Sequence, residues 1–189
     1  MTDQGIKSRP IYAALRRDPS GRRHLYVSAG AEPPPPALCD GPLEGWSVGP
    51  PTAEGTRTPP EREGERRFRS ASQLKATLAR RLATERMGLR LYAEGPEDFL
   101  WDVFGIAQEH GLGRQEVFLK QAGTLARRVQ CVHCKTLNEG VSTTIVRCAG
   151  CGANLFVRDH FSRRLSAFQG VKVDAEQPGD VPPAERAYP

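Results

Sequence analysis

Apolar residues recur every four positions in the middle of the chain, which is the spacing of one face of a helix. Ser70 and Gln73 precede this stripe with the spacing of a capping box, in which two side chains satisfy backbone N–H groups at a helix start. Gly88 follows it as a stop signal. The pattern therefore predicts a helix whose buried face carries Leu74, Leu78 and Leu82.

A second and broader apolar stripe follows a turn at Gly95 and Pro96. Proline suits the first position of a helix, and the acidic side chains of Glu97 and Asp98 suit its positive end. We predict a helix from this turn to about His110. Its apolar face consists of Phe99, Leu100, Val103, Phe104, Ile106 and Ala107.

Short β-capable runs alternate with these helices. Leu89–Ala93 and Glu116–Lys120 are predicted strands, and alternation of strands with helices is typical of a parallel sheet. Nearer the N-terminus, IYAALRR and RRHLYVSA flank the turn sequence DPSG, which predicts a hairpin or, alternatively, two strands of a larger sheet. We therefore expect an α/β fold, with a small, partly parallel sheet and covering helices.

The last third of the chain has a different pattern. VSTTIVRC and NLFVRDHF are predicted strands, Phe161 to Phe168 a short helix, and Gly170 to Val173 a final extended stretch. We therefore expect a separate, mainly β module at the C-terminal end.

The chain is basic, with 27 Lys and Arg against 22 Asp and Glu in 189 residues and a formal net charge of +5. Its arginines lie in several short clusters, so two interpretations stay open: a solvated surface, or a basic face that binds a partner. An acidic protein is favoured over nucleic acid as that partner. Because no apolar run has the length of a membrane span and the polar N-terminus lacks a signal-peptide core, we expect a soluble, cytoplasmic protein.

Four of the five cysteines form two C-x-x-C pairs, in CVHC and CAGC. Two such pairs, with space between them for a β-hairpin, indicate a tetrahedral metal site. Thiolate ligands favour zinc, and a single iron in the same geometry is the competitor. The predicted ligands are Cys131, Cys134, Cys148 and Cys151.

Other chemistry fits these cysteines less well. Covalent haem attachment requires a histidine directly after the pair, where Lys135 and Gly152 stand. Disulfides require an oxidising compartment, and a thioredoxin-type redox site requires only one pair. Cys39 stands apart from the four and is interpreted as a free thiol.

Proline and glycine content then divides the chain. The residues between Gly30 and Ser70 are too poor in apolar side chains to offset the cost of ordering their backbone. The sequence predicts an N-terminal β segment (1–29), a disordered linker (30–70), an α/β lobe (71–125), a zinc-ribbon domain (126–177) and a flexible tail (178–189).

Arginine and aromatic residues follow the second cysteine pair. These residue types are enriched at the centres of protein interfaces, although the phenylalanines could equally pack on the core of the metal module. No catalytic residue is expected on this chain. The predicted docking patch comprises Arg158, His160, Phe161, Arg163, Arg164 and Phe168.

The run NLFVRDHFSRRLSAFQGVKVDAEQPG after the CAGCG knuckle resembles the C-terminal signature of the small, DmmA-like subunit of bacterial dimethylamine monooxygenase, and LYAEGPEDFLWDVFGIAQEHGLGRQEV resembles its N-terminal part. The resemblance covers about Leu74 to Gly179. It implies an accessory subunit of a complex that demethylates dimethylamine to methylamine and formaldehyde with NADPH and O2. Haem, FMN and an iron–sulfur cluster are then expected on a haem-containing catalytic subunit and a reductase subunit.

The same N-terminal part is similar to the closing half of the pyridine-nucleotide domain of ferredoxin-reductase-like proteins. By this similarity Gly95 and Pro96 match a turn near the nicotinamide. The sequence SAGAEPPPP stands where those proteins have a glycine-rich phosphate turn, which favours a lobe kept for packing.

The sequence thus predicts an α/β lobe joined to a C-terminal zinc ribbon, in a non-catalytic subunit that serves assembly of a monooxygenase. Two rivals are a rubredoxin-like electron-transfer subunit with one iron, and a nucleic-acid-binding zinc ribbon.

Overall fold

The computed structural model describes residues 8–30, 32–49 and 64–189. Residues 12–123 form one compact unit, here called the sheet–helix unit. Residues 8–11 together with 124–189 form the other, here called the cysteine unit. The division falls beside the boundary at residues 125 and 126 that the sequence suggested.

The sheet–helix unit contains a five-stranded sheet in which every neighbouring pair is parallel, with strand order β3-β2-β1-β4-β5. This confirms the expected α/β class and parallel sheet. The short 3-10 helices Pro36–Leu38 and Arg114–Glu116 lie in its connections. Its strands and helices are β1 (Arg23–Ser28), β2 (Glu44–Val48), β3 (Glu65–Phe68), α1 (Ala71–Leu82), β4 (Leu89–Gly95), α2 (Glu97–Glu109) and β5 (Val117–Gln121).

Helix α1 begins as its sequence predicts. The Ser70 hydroxyl accepts a hydrogen bond from the backbone N–H of Gln73 at 3.2 Å, and the Gln73 side chain accepts one from the Arg69 N–H. The helix ends at Leu82, before the predicted stop at Gly88. In the part of the chain described, no helix is long and apolar enough to cross a membrane.

Both helices bury their apolar faces against the sheet. Leu74, Leu78 and Leu100 are fully buried, and they share one core with Leu25 and Trp46 on the central strands. Burial of such side chains contributes about 1.5–3 kcal/mol each. The predicted apolar stripes are therefore the contacts that hold α1 and α2 on the sheet.

The opposite face of the sheet carries no α-helix among the described residues, only the 3-10 helix Pro36–Leu38. A smaller core of Leu15, Tyr26, Leu38 and Tyr92 is covered by the connections before β1 and between β1 and β2. The predicted hairpin around DPSG is wrong, because the IYAALRR run lies on this core through Leu15 instead of pairing with β1. As a central strand, β1 instead has β2 and β4 as neighbours.

The structure also differs from the predicted linker. Residues 44–48 and 65–68 are strands β2 and β3, and Trp46 is fully buried although prolines surround it in sequence. Sheet pairing and one large side chain thus order a stretch whose average composition is polar. Residue 31 and residues 50–63 of the predicted linker lie outside the described residues, as do residues 1–7 of the predicted N-terminal segment.

The cysteine unit is a second five-stranded sheet with the order β7-β6-β10-β9-β8. Its pairs are antiparallel except for β6 with β10. The helix predicted for Phe161 to Phe168 is wrong, because these residues end β9, turn at 163–166 and begin β10. The strands are β6 (Arg127–Cys131), β7 (Leu137–Val141), β8 (Ile145–Arg147), β9 (Asn154–Ser162) and β10 (Ala167–Lys172).

Segments from both ends of the chain join this unit. The N–H of Ser8 donates to the Asp159 carbonyl at 2.9 Å, and the Phe161 N–H donates to the Ser8 carbonyl at 2.9 Å. Near the other end, the N–H groups of Ala187 and Tyr188 donate to the Ser142 carbonyl. The end of the predicted flexible tail is therefore fixed by backbone hydrogen bonds.

Two glycines of the sheet–helix unit provide a test of this packing. A methyl group at Gly105, in the middle of α2, would meet nothing within 4 Å, whereas one at Gly95 would lie 2.7 Å from Ala29 Cβ and 2.9 Å from Phe99 Cδ1. We expect Gly105→Ala to stabilise the protein by up to about 1 kcal/mol through helix propensity. Gly95→Ala is expected to destabilise it by about 1–3 kcal/mol through overpacking. Urea unfolding measures both, and equal effects would contradict the described packing of β4 on α2.

Candidate metal centre

The four paired cysteines converge in the cysteine unit. Their sulfur atoms all lie within 4.8 Å of one another, with Cys131 Sγ 3.8 Å from Cys151 Sγ and Cys134 Sγ 3.6 Å from Cys148 Sγ. All four are free thiols. Each pair contributes one buried sulfur residue and one exposed residue, so the cluster lies at the edge of the module.

The first pair is held by a tight turn after β6. The Lys135 N–H donates to the Cys131 carbonyl at 3.0 Å, and the Cys131 N–H donates to the Thr136 carbonyl at 2.9 Å. Lys135 takes a positive φ of 66°, which lets the backbone turn around the sulfur atoms.

The second pair repeats this arrangement after β8. The Gly152 N–H donates to the Cys148 carbonyl at 3.0 Å, and the Cys148 N–H donates to the Ala153 carbonyl at 2.9 Å. Gly152 has a φ of 73°, at the position equivalent to Lys135. The two matching turns present two sulfur atoms each, which is the arrangement that a four-coordinate ion requires.

The two turns also pack tightly on each other. The hydroxyl of Thr136 lies 3.2 Å from Cys134 Sγ. A methyl group at Gly150 would lie 2.1 Å from that hydroxyl oxygen, so only glycine fits between the turns. Thr136 and Gly150 are functional neighbours that sequence spacing did not single out.

Backbone and hydroxyl hydrogen bonds lower the pKa of the thiols, whereas burial raises it, as do the neighbouring thiols for Cys151. Hydrogen bonding from Thr136 lowers the pKa of Cys134 to about 6. The Ala153 N–H also favours the thiolate of Cys151, but burial and the neighbouring thiols raise the pKa of Cys151 to about 11. Four thiolates this close repel one another, and a cation among them removes that repulsion.

The donor set fits a soft or borderline-soft metal ion. Four thiolates with no imidazole or carboxylate suit Zn²⁺, or a single iron in the same tetrahedral geometry. With all four positions filled by protein, no open coordination site is left for a substrate. The centre is thus suited to a structural role or to electron transfer.

The predicted docking patch is only partly at the surface. Phe161 and Phe168 are buried and pack edge to face, with ring centroids 5.0 Å apart. Arg163 and Arg164 lie exposed in the turn between β9 and β10. The remaining two residues, Arg158 and His160, lie on β9, half-buried and exposed respectively.

Arg127 is a buried cation that sequence analysis did not identify. Its guanidinium carbon lies 4.0 Å from the ring centre of Phe168 and 3.7 Å from that of Tyr188, and the group donates to Asp159 at 2.8 Å. Arg9 binds the same carboxylate at 2.7 Å. Burial opposes the charge on Asp159, but hydrogen bonds from Arg9 and Arg127 leave its pKa below the usual value. The only sequence signal was the alternation of Arg127 with buried Val129 and Cys131 on β6.

Gly95 and Pro96 lie where β4 meets α2, at the carboxyl edge of the parallel sheet. Close packing on Ala29 and Phe99 explains the glycine. Glu97, in the first turn of α2, accepts a hydrogen bond from the Tyr12 hydroxyl at 2.6 Å. An acidic side chain thus occupies the end of the helix at which a phosphate would bind.

Two family models match this chain. The model described as dimethylamine monooxygenase subunit DmmA-like, N-terminal domain, matches residues 58–117, and the one for the C-terminal domain matches residues 128–171. The second region contains all four converging cysteines. Together the two regions cover more than half of the chain.

A curated relative shows the same similarity. The chain is 40% identical over 111 residues to the heme-dependent oxidative N-demethylase delta subunit of Ectopseudomonas mendocina (strain ymp). The matched region is 59% of this chain and 63% of that protein, so the chain spans less than two thirds of the relative. No solved structure matches. On the two matched domains, the chain belongs to the DmmA-like family of dimethylamine monooxygenase subunits.

Proposed function

We propose that this chain is a non-catalytic accessory subunit of a haem-dependent oxidative N-demethylase, in which a zinc ribbon maintains the surface that binds larger subunits. The convergence of four thiols on one point carries this proposal. The name of the curated relative supports the type of complex. Dimethylamine as the substrate and NADPH as the electron source follow from the family resemblance.

Zinc is the proposed metal because a closed set of four thiolates is typical of structural zinc sites. The apolar core next to it consists of little more than Cys131, Cys148 and Leu155, with Val146 and Ala153 packed against them. A cluster this small gains stability from metal coordination, in addition to what the other buried side chains of the unit, such as Val129, Val157 and Phe168, contribute. Zinc provides this without redox chemistry. The family resemblance assigns haem, FMN and iron–sulfur chemistry to the partner subunits.

An electron-transfer role is the second candidate. Cys134 and Cys151 are exposed, so a single iron held by the same four thiolates would lie close to the molecular surface. That position is favourable for exchange of electrons with a docked reductase. The metal content of the purified chain distinguishes the two functions.

The sheet–helix unit is proposed to be a nucleotide-domain remnant kept for packing. Its strand order β3-β2-β1-β4-β5 is that of one class of doubly wound nucleotide-binding sheets, which supports the similarity to ferredoxin reductases. A nicotinamide site at Gly95 and Pro96 stays a prediction. The glutamate at the start of α2 counts against a phosphate there.

The exposed part of the docking patch is proposed to bind the haem or reductase subunit. Arg163 and Arg164 extend from a turn between two paired strands, so their backbone is fixed before binding. A rigid arginine-bearing turn suits an acidic protein surface, because charge complementarity speeds association and little order is lost on binding.

Metal content provides the first test. We expect the chain, purified from cells under reducing conditions, to contain about one zinc ion per molecule and to be colourless. Elemental analysis measures the zinc and any iron. Stoichiometric iron with a visible thiolate-to-iron absorption would favour electron transfer, and absence of both metals would contradict the proposed centre.

The pH dependence of metal binding follows from the thiol pKa values. Cys151, with a pKa raised to about 11, carries its proton at neutral pH in the metal-free chain and must release it to bind the ion. We therefore expect zinc affinity to rise with pH from neutral up to about pH 11, where Cys151 loses its proton without the metal. Calorimetric titrations in buffers of different ionisation enthalpy measure the released protons. Binding without proton release would contradict this ligand set.

The docking surface is tested by charge reversal. Arg163→Glu with Arg164→Glu is expected to weaken co-purification with the haem or reductase subunit by tenfold or more, while zinc content stays unchanged. The matched control is Arg67→Glu with Arg69→Glu, which reverses two exposed arginines of the sheet–helix unit. Undiminished co-purification of the first double variant, or equal loss in the control, would contradict the assigned surface.

A further inference from the structure

Asn138 is a buried polar residue next to the metal centre to which neither the cysteine spacing nor the family matches assign a role. It lies on β7, in the first hairpin of the cysteine unit, and is 6% exposed. Asparagine at such burial is uncommon unless its amide is fully hydrogen-bonded. Its contacts show why it stands here.

The side-chain carbonyl of Asn138 reaches the second cysteine turn. Its Oδ1 accepts a hydrogen bond from the backbone N–H of Ala149 at 2.8 Å, and Ala149 directly follows the ligand Cys148. The side-chain nitrogen donates to the Val129 carbonyl on β6 at 3.1 Å. These two bonds fix the orientation of the amide. The reverse orientation would place the side-chain NH2 against the Ala149 N–H and the side-chain oxygen against the Val129 carbonyl.

With that orientation fixed, the side-chain nitrogen also faces a metal ligand. Asn138 Nδ2 lies 3.9 Å from Cys148 Sγ and 3.4 Å from the Thr136 carbonyl, so the N–H that does not bond to Val129 has that carbonyl and the sulfur as acceptors. An N–H directed at a thiolate withdraws negative charge from the sulfur. A centre made of one divalent cation and four thiolates carries net negative charge, so such a donor stabilises the loaded centre.

We propose that Asn138 is the positioning residue that joins the two cysteine turns and that its amide N–H tunes the Cys148 thiolate in the metal-loaded centre. The inference rests on the proposed metal centre. Asn138 does not bind the ion itself. It holds the second turn in register with the first hairpin and partly neutralises one ligand, so its loss affects both the retention of the metal and the electronic state of the thiolates.

The test uses the full-length chain with zinc or cobalt(II) as the only added ligand. Asn138→Ala removes both functions and leaves the Ala149 N–H without its acceptor. We expect its zinc affinity, measured by competition with a chromophoric chelator, to fall about 10–100-fold. We also expect its sulfur-to-cobalt charge-transfer band to shift to lower energy, because a thiolate that has lost a donor is more electron-rich.

A second variant separates the two functions and guards against misfolding. Asn138→Asp keeps an oxygen for the Ala149 N–H but replaces the donor with a negative charge near the thiolate. It is expected to fold, to bind zinc more weakly than the natural chain, and to show a shifted cobalt spectrum. Asn154→Ala, a change of the same type at a half-buried position on β9, is the control and is expected to leave both readouts unchanged.

The outcomes distinguish this inference from the proposal on which it rests. If the natural chain forms a four-thiolate cobalt complex and both Asn138 variants match it in affinity and spectrum, the role of Asn138 is wrong while the metal centre stands. If only affinity falls and the spectra stay unchanged, the tuning of Cys148 is wrong. A natural chain that binds neither ion overturns the metal centre and the role of Asn138 together.

Discussion

The convergence of four thiols from two hairpins is the constraint on which the cysteine unit depends. Without an ion, four sulfur atoms at these distances gain little from one another, and burial together with the neighbouring thiols raises the pKa of Cys151. With a divalent cation between them, the same four sulfur atoms are close enough to bind it together. Because the apolar cluster beside the cysteines is small, coordination adds stability at this end of the unit.

The sheet–helix unit is stabilised in another way. Its parallel strands carry buried residues on both faces, as parallel sheets require, and two amphipathic helices cover one of them. The family model for this region starts at residue 58, whereas β1 and β2 precede that residue. In the sheet, β1 and β2 lie between β3 and β4. The matched segment therefore contains β3 and β4 but lacks β2 and β1, with which they pair.

Several arginines of this chain have a structural role. Arg90 donates to Asp18 at 2.5 Å and to Glu116 at 3.1 Å. Its hydrogen bond to Asp18, together with those from Ser20, lowers the pKa of Asp18 to about 2. Arg127 is enclosed by two aromatic rings and bound to Asp159. Arginines paired in this way are not available to a polyanion, so they are excluded from the surface that a partner could bind.

The amino-acid sequence by itself determined the features that rest on local spacing. The two helices, the strand Leu89–Gly95 and the four-cysteine set followed from helical periodicity, capping chemistry and the C-x-x-C motif, each of which acts over a few residues. Only the tertiary structure decided that β1 is a central strand, that the proline-rich stretch supplies β2 with its buried Trp46, and that Phe161 to Phe168 turns between strands. It also decided that Asn138 and Arg127 are buried. These outcomes depend on residues that are distant in sequence. Strand pairing and side-chain burial are set by the segments that become neighbours in the folded chain, and the local sequence pattern does not specify those neighbours.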